Sequence, residues 1–121
     1  MASDRDGGPR VARVYDEPGP HDGTRVLVDR LWPRGLRKDR AHVDVWLKEV
    51  APSKELRTWY AHDPEKHEEF ARRYRAELAD DDHAAALEEL RGLLGEGPVT
   101  LLTATREVSL SQAAVLAEHL R

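Results

Sequence analysis

The sequence predicts an α/β protein, a single compact domain with a short, mostly parallel sheet of about three strands covered by helices. Apolar runs at 11–15, 24–29 and 99–103 are typical of strands. The long stretch between the second and third runs has helical periodicity, and such a crossover suits parallel pairing. Because 121 residues suffice for one core but not for two domains, we expect one domain over 10–121. The first nine residues, MASDRDGGP, are expected to form a flexible tail over 1–9.

Composition excludes several classes of protein. Apolar residues make up 40% of the chain, which favours a folded domain over a disordered one. The absence of cysteine excludes disulfides, thiolate metal sites and cysteine nucleophiles. No run approaches the roughly 20 apolar residues of a membrane span, and the N-terminus lacks the apolar core of a signal peptide. We therefore expect a cytoplasmic protein with no membrane partner.

Two strands are predicted near the N-terminus, over Val11–Tyr15 and Thr24–Asp29. The stretch 17–23 between them is dense in turn residues and permits a hairpin as well as other pairings. No further strand is predicted before residue 95. Instead, Asp44 is expected to cap a short helix that Pro52 ends, because the residue before proline avoids helical geometry.

Capping signals predict the remaining helices. Ser53 begins one with Leu56, Trp59 and Tyr60 on it, and Asp63 followed by Pro64 begins the next, which carries Phe70, Tyr74 and Leu78 at four-residue spacing. Asp80 to Asp82 open a helix with Ala84, Leu87, Leu90, Leu93 and Leu94 on its buried side and Gly95 as its stop. Ser109, with Gln112 three residues later, fits a capping box for the C-terminal helix.

Charge is uneven along a chain whose formal net charge is -4. Seven basic and three acidic side chains lie between Arg25 and Lys48, whereas ten acidic and five basic ones lie between Asp63 and Arg91. One interpretation is an ordinary solvated surface, and the other is a local anion site on an acidic body.

Parallel pairing would bring the ends of the second and third strands together, with the start of the last helix beside them. Arginine forks and free N–H groups at a helix start favour carboxylate or phosphate groups. The residues expected at this edge are Asp29, Arg30, Arg34, Thr103, Thr105, Arg106, Ser109 and Ser111. The alternative is that Asp29 and Arg30 pair with each other or with neighbours and only finish the strand.

The sequence shows no signature of a metal site or a cofactor. His62 and His67 are five apart, no His-x-x-x-His pair occurs, and no phosphate-loop or dinucleotide glycine pattern is present. No Gly-x-Ser-x-Gly elbow surrounds Ser53, which is better explained as a helix cap. His62 follows Trp59 and Tyr60 in a loop and stays a candidate acid or base.

Four ordered segments carry a resemblance: VDRLWPRG at 28–35, WLKEVAPS at 46–53, LRTWYAHDP at 56–64, and the spaced Phe70, Tyr74 and Glu77-Leu78. Together they resemble the YeaO-like family of bacterial proteins, a family of unknown function, from about Tyr15 to Leu120. The resemblance implies a compact α/β domain whose hallmark is Asp29 to Gly35, with Lys48, Pro52-Ser53, Arg57 and His62.

The sequence departs from this family near its C-terminus. The resemblance implies an Asn-His-Ala triplet where this chain has Ser111-Gln112-Ala113. Glutamine forms hydrogen bonds but does not titrate near neutrality, so this change favours binding over proton transfer.

Our leading hypothesis is a pocket at the strand ends that binds a small anionic ligand. Asp29 and His62 are the weak catalytic candidates. The predicted ligand-binding residues are Arg30, Trp32, Arg34, Lys48, Ser53, Arg57, Thr103, Thr105, Ser111 and Gln112. Two alternatives stay open: a nucleic-acid or protein interaction module, homodimer included, that uses the basic loop Arg34 to Arg40, and a structural or regulatory domain whose charged motif forms internal ion pairs.

Overall fold

The sheet has four strands and is entirely parallel in the computed structural model, which describes residues 8–121. In the order β1-β4-β2-β3, the strands are β1 (Arg10–Arg13), β2 (Thr24–Leu27), β3 (Val45–Trp46) and β4 (Val99–Thr103). The predicted class, α/β with a short and mostly parallel sheet, is confirmed. Of the tail predicted over 1–9, residues 1–7 lie outside the described part, and Pro9 is buried.

Four α-helices follow the predicted order: α1 (Lys54–Tyr60), α2 (His67–Leu78), α3 (Asp81–Glu96) and α4 (Gln112–His119). Helices α1 and α3 begin at the predicted caps, whereas Asp63 caps a 3₁₀ turn over Pro64–Lys66 that leads directly into α2. The side chains of Ser53, Asp63 and Asp80 accept backbone N–H bonds of 3.1, 3.0 and 2.9 Å respectively. Helix α3 continues past the predicted stop at Gly95, and Ala84 on it is exposed.

The helix predicted after Asp44 is wrong. Val45 and Trp46 form β3 beside Val26 and Leu27 of β2, and Lys48–Val50 is a single 3₁₀ turn. Instead of capping a helix, the Asp44 carboxylate accepts the backbone N–H of Arg25 at 2.9 Å. An aspartate that local sequence predicts to be a helix cap here accepts a hydrogen bond from the neighbouring strand β2 instead.

The cap predicted for the last helix is also wrong, by two residues. Ser109 lies in a 3₁₀ turn over Val108–Leu110. Ser111 is the cap of α4, because its backbone is extended and its Oγ accepts the N–H of Ala114 at 3.3 Å.

Strand β4 lies between β1 and β2, so these two strands do not form a hairpin. Val26 and Leu101 belong to the large core, to which all four helices contribute side chains. Leu27 and Leu102 belong to a second, smaller cluster that Trp32 and the neighbouring irregular segment cover. The sheet thus has helices on one face and irregular chain on the other. No helix within residues 8–121 has the length and apolar character needed to cross a membrane.

Candidate functional site

A cavity of about 410 Å³ opens where β2 and β4 end. The carboxyl ends of parallel strands are the usual place for a ligand in an α/β protein. Five parts of the chain form its wall: the segment after β2, helix α1 with its flanking loops, helix α2, the segment after β4, and the start of α4. The lining residues are Asp29, Arg30, Leu31, Pro52, Arg57, Thr58, Tyr60, His62, Phe70, Ala104, Thr105, Ser111 and Gln112.

Asp29 is held in place by three hydrogen bonds from the other strand end and from α4. Its Oδ1 accepts the hydroxyl of Thr103 at 2.8 Å and the side-chain amide of Gln112 at 2.5 Å. Its Oδ2 accepts the backbone N–H of Ala104 at 2.8 Å. The expected meeting of Asp29 and Thr103 at one sheet edge therefore occurs, and the carboxylate joins β2, β4 and α4.

Two opposing influences act on the pKa of Asp29. Burial raises this pKa above its ordinary value, because a carboxylate loses hydration when it leaves water. The three hydrogen bonds and the positive charge of Arg57 lower it, but burial is the larger influence and the net pKa is raised. Arg57 is thus close enough to Asp29 to affect its ionisation.

Arg57 lies on α1 and lines the cavity. Its Nε is buried and has no hydrogen-bond partner among residues 8–121, and no carboxylate of this described part forms a salt bridge with it. Buried nitrogen donors are almost always paired in proteins. Arg57 lines the cavity without a carboxylate partner in the described part of the chain, so its guanidinium is a candidate contact for an anion.

Arg30 follows Asp29 and is fixed by backbone carbonyls. Its Nη2 donates to the carbonyl of Ala51 at 3.1 Å and to that of Pro52 at 3.4 Å. These two bonds fix the guanidinium of Arg30 at the wall, and both are donated by Nη2. Arg30 therefore adds positive charge beside the cavity in a fixed orientation.

His62 reaches the cavity from an unusual turn. Ala61 and His62 both have left-handed backbone geometry, with φ of 48° and 58°. Non-glycine residues adopt this geometry at some cost, and two in succession end α1 sharply. The turn places the exposed His62 ring 6.2 Å from the ring of Tyr60, centre to centre.

Several residues predicted for the site lie elsewhere. The indole of Trp32 donates to the carbonyl of Leu36 at 2.8 Å, Arg34 is exposed, and Lys48 lies over the ring of Trp46 at 5.2 Å. None of these three predicted residues lines the cavity.

Two further predicted residues stand behind the wall. Ser53 caps α1 and donates from Oγ to Glu77 at 2.5 Å, and the fully buried Thr103 reaches the cavity through Asp29. Arg106 and Ser109 are exposed and do not line it. The structure therefore brings together Asp29, Arg30, Arg57, His62, Thr105, Ser111 and Gln112.

Sequence patterns did not indicate the apolar part of the wall. Tyr60 and Phe70, stacked with their centroids 4.0 Å apart, were expected only as core residues of their helices. Leu31 is 70% exposed and lies on the wall as part of the hallmark segment. Because Leu31 stands between Asp29-Arg30 and Trp32 in the sequence, its place at the site could have been predicted from the hallmark segment.

No cluster of three or more histidine, aspartate or glutamate side chains within residues 8–121 is arranged to hold a metal ion. The polar groups that line the cavity are guanidinium, carboxylate, imidazole, hydroxyl and amide groups.

Comparison with known proteins places the chain in a family. A family profile described as the inactive DUF488-N3 subclade matches residues 10–121. The chain belongs to this DUF488-N3i family. It is 60% identical over 111 residues to the uncharacterized protein Rv3073c of Mycobacterium tuberculosis, covering 92% of each chain. It is 40% identical over 109 residues to the uncharacterized protein YeaO of Escherichia coli, covering 90% of this chain and 93% of YeaO.

The resemblance to the YeaO-like family is thereby confirmed. No solved structure matches this DUF488-N3i chain. The expected departure from the family pattern falls on Gln112, which the structure places against Asp29. In this DUF488-N3i member, a side chain that does not titrate near neutrality thus occupies the position next to the half-buried carboxylate of Asp29.

Proposed function

We propose that this protein binds a small anionic ligand, bearing a carboxylate or phosphate, in the cavity at the ends of β2 and β4. Arg57 and Arg30 are the cationic contacts, and Thr105 and the start of α4 add hydrogen-bond donors. The observation that carries the proposal is Arg57, which lines the cavity and whose buried Nε has no hydrogen-bond partner among residues 8–121. An anion bound in the cavity would pair with the guanidinium of Arg57.

The arrangement of the hallmark motif argues against a purely structural role. If the motif served only stability, its charged side chains would pair with one another away from any cavity. Instead, Asp29 accepts neutral donors and Arg30 donates to carbonyls, while both border open space.

Binding is supported over proton-transfer chemistry by the groups around Asp29. Its side-chain partners are a threonine hydroxyl and the Gln112 amide, neither of which takes up a proton near neutrality. The description of the matching family as inactive points in the same direction.

The basic loop 34–40 supports a nucleic-acid or protein interface less well. Arg37 forms two hydrogen bonds with Asp39, at 3.2 and 3.0 Å, and Lys38 lies 5.5 Å from the centre of the Trp32 ring. Part of the charge of this loop is therefore engaged within the loop and with its own aromatic neighbour.

The proposal is tested by thermal-shift measurements with phosphate, sulfate and small carboxylates at constant ionic strength. Wild type and Arg34→Gln should be stabilised equally, since Arg34 lies outside the cavity. Arg57→Gln should lose the response, because it keeps a polar side chain but removes the charge. A ligand at a hundred times its Kd stabilises a protein by about 2.7 kcal/mol, which is readily measured. No stabilisation of wild type, or an equal response in Arg57→Gln, would overturn the proposal.

A further inference from the structure

The carboxylate of Asp29 has an acceptor position left open beside the cavity. An ionised carboxylate accepts about four hydrogen bonds, two at each oxygen. Oδ1 of Asp29 accepts two, whereas Oδ2 accepts one, from the backbone N–H of Ala104. Since Asp29 lines the cavity and no second donor among residues 8–121 bonds to Oδ2, one position on this oxygen is available to a donor on a ligand.

The same cavity therefore presents opposite charges. Asp29 is an anionic acceptor and Arg57 a cation whose charge acts on it. A simple anion placed against Arg57 would meet repulsion from Asp29 and would leave the open position on Oδ2 unfilled. A ligand that carries both a carboxylate and an ammonium group complements both residues.

The burial of Asp29 adds to this complementarity. An ionised carboxylate that has lost hydration gains most from a charged donor, because Coulomb attraction adds to the hydrogen bond and is strong where water is partly excluded. The donors that now surround Asp29 are neutral. An ammonium group would supply the charge that they lack.

The cavity volume and the apolar side chains of its wall indicate a small ligand with an aliphatic group. Ligand pockets commonly measure about 300 to 1,000 Å³, so a cavity of about 410 Å³ suits a small molecule. Leu31 is 70% exposed on this wall, and Pro52 and Ala104 also line it. These side chains can cover an aliphatic group of the ligand.

We propose that the ligand is a small α-amino acid with an apolar side chain, held with its carboxylate on Arg57 and its ammonium on Oδ2 of Asp29. This inference rests on the proposed function, since it assigns the anionic group to the same arginine. It goes further by requiring a second, positively charged group on the ligand.

Calorimetric titration of the wild-type protein with matched ligands tests the inference. L-leucine carries both charges, 4-methylpentanoate and N-acetyl-L-leucine lack the ammonium, and L-leucinamide lacks the carboxylate. L-leucine should bind at least about ten-fold more tightly than each of the others, which corresponds to 1.4 kcal/mol. The comparison needs no variant, so it holds even where a substitution impairs folding.

Variants then assign the two contacts. Asp29→Asn should bring L-leucine down to the affinity of 4-methylpentanoate, and Arg57→Gln should weaken both carboxylates. Arg34→Gln should change neither. Leu31→Ala should reduce the preference for L-leucine over L-alanine.

The outcomes separate this inference from the proposed function. Equal affinity for L-leucine and 4-methylpentanoate, with both lost in Arg57→Gln, would overturn the amino-acid inference and leave anion binding intact. Binding of inorganic phosphate through Arg57 without binding of L-leucine would likewise overturn the amino-acid inference and leave anion binding intact. If neither phosphate nor any carboxylate binds, both proposals fall.

Discussion

Gln112 donates its side-chain amide to Oδ1 of Asp29 at 2.5 Å. This bond joins the first residue of α4 to the segment after β2, and it lowers the pKa of a carboxylate that burial raises. The pair therefore couples the position of the last helix to the charge state of the cavity. A substitution of Gln112 should therefore change the pKa of Asp29.

Replacing Gln112 with leucine should raise the pKa of Asp29 further. The substitution removes a donor that stabilises the ionised form but keeps the side chain near the same size. Loss of a hydrogen bond to a charged group should also cost about 1.5 to 3 kcal/mol of stability at neutral pH. Carboxyl carbon NMR titration and urea unfolding measure the two effects. Ser109→Ala, outside the cavity, is the control, and an unchanged Asp29 pKa in Gln112→Leu would contradict the expectation.

Asp29→Asn should change the pH dependence of stability with a defined sign. Because the pKa of Asp29 is higher in the folded state than its ordinary value of 3.8, the folded state binds more protons. Wild type should therefore lose stability relative to the variant as the pH rises above 3.8 through the folded pKa.

Asp80→Asn is the matched comparison with the opposite sign. The hydrogen bond from His83 lowers the pKa of Asp80, so its contribution is present at higher pH and is lost as the pH falls below 3.8 through the folded pKa. Asparagine still caps the helix. Urea unfolding across this pH range measures both differences, and slopes of the same sign would refute the assignment.

The corrected cap of α4 predicts unequal effects for two nearby serines. Ser111→Ala should destabilise the protein by about 1 kcal/mol, the usual cost of removing a side-chain cap. Ser109→Ala should change stability by less than about 0.5 kcal/mol, because this exposed side chain caps nothing. Urea unfolding separates the two, and the reverse order would restore the capping box at Ser109.

Gly23 is required at the start of β2. Its φ is 65°, and an added Cβ would lie 2.1 Å from the carbonyl oxygen of Pro98, which also accepts the N–H of Thr24. Gly23→Ala should therefore cost about 2 kcal/mol or more in stability. Gly92→Ala is the control: it lies inside α3 in open space and should gain about 1 kcal/mol. Equal thermal melting of the two variants would contradict this reason for the glycine.

Local chemistry was sufficient to predict elements whose stabilising contacts lie within a few residues. Ser53 and Asp80 each accept an N–H three residues ahead, and Asp63 accepts one two residues ahead at the 3₁₀ turn before α2, so these starts could be located from sequence. Strand β3 could not, because two residues become a strand only through pairing with β2. Asp44 has the same side chain as the true caps, but its partner is Arg25, far along the chain.

Three features could be predicted from the sequence alone: the family, the parallel pairing of the strands, and the approach of Asp29 to Thr103 at the site. That approach follows from parallel pairing, which brings the ends of strands to one edge. Only the folded chain shows that Arg57 lines the cavity at this edge, with an Nε that has no partner among residues 8–121, and that Arg34 and Lys48 lie outside the cavity. The direction of a side chain across a cavity depends on how helices pack on a sheet, and that packing is set by contacts between residues far apart in sequence.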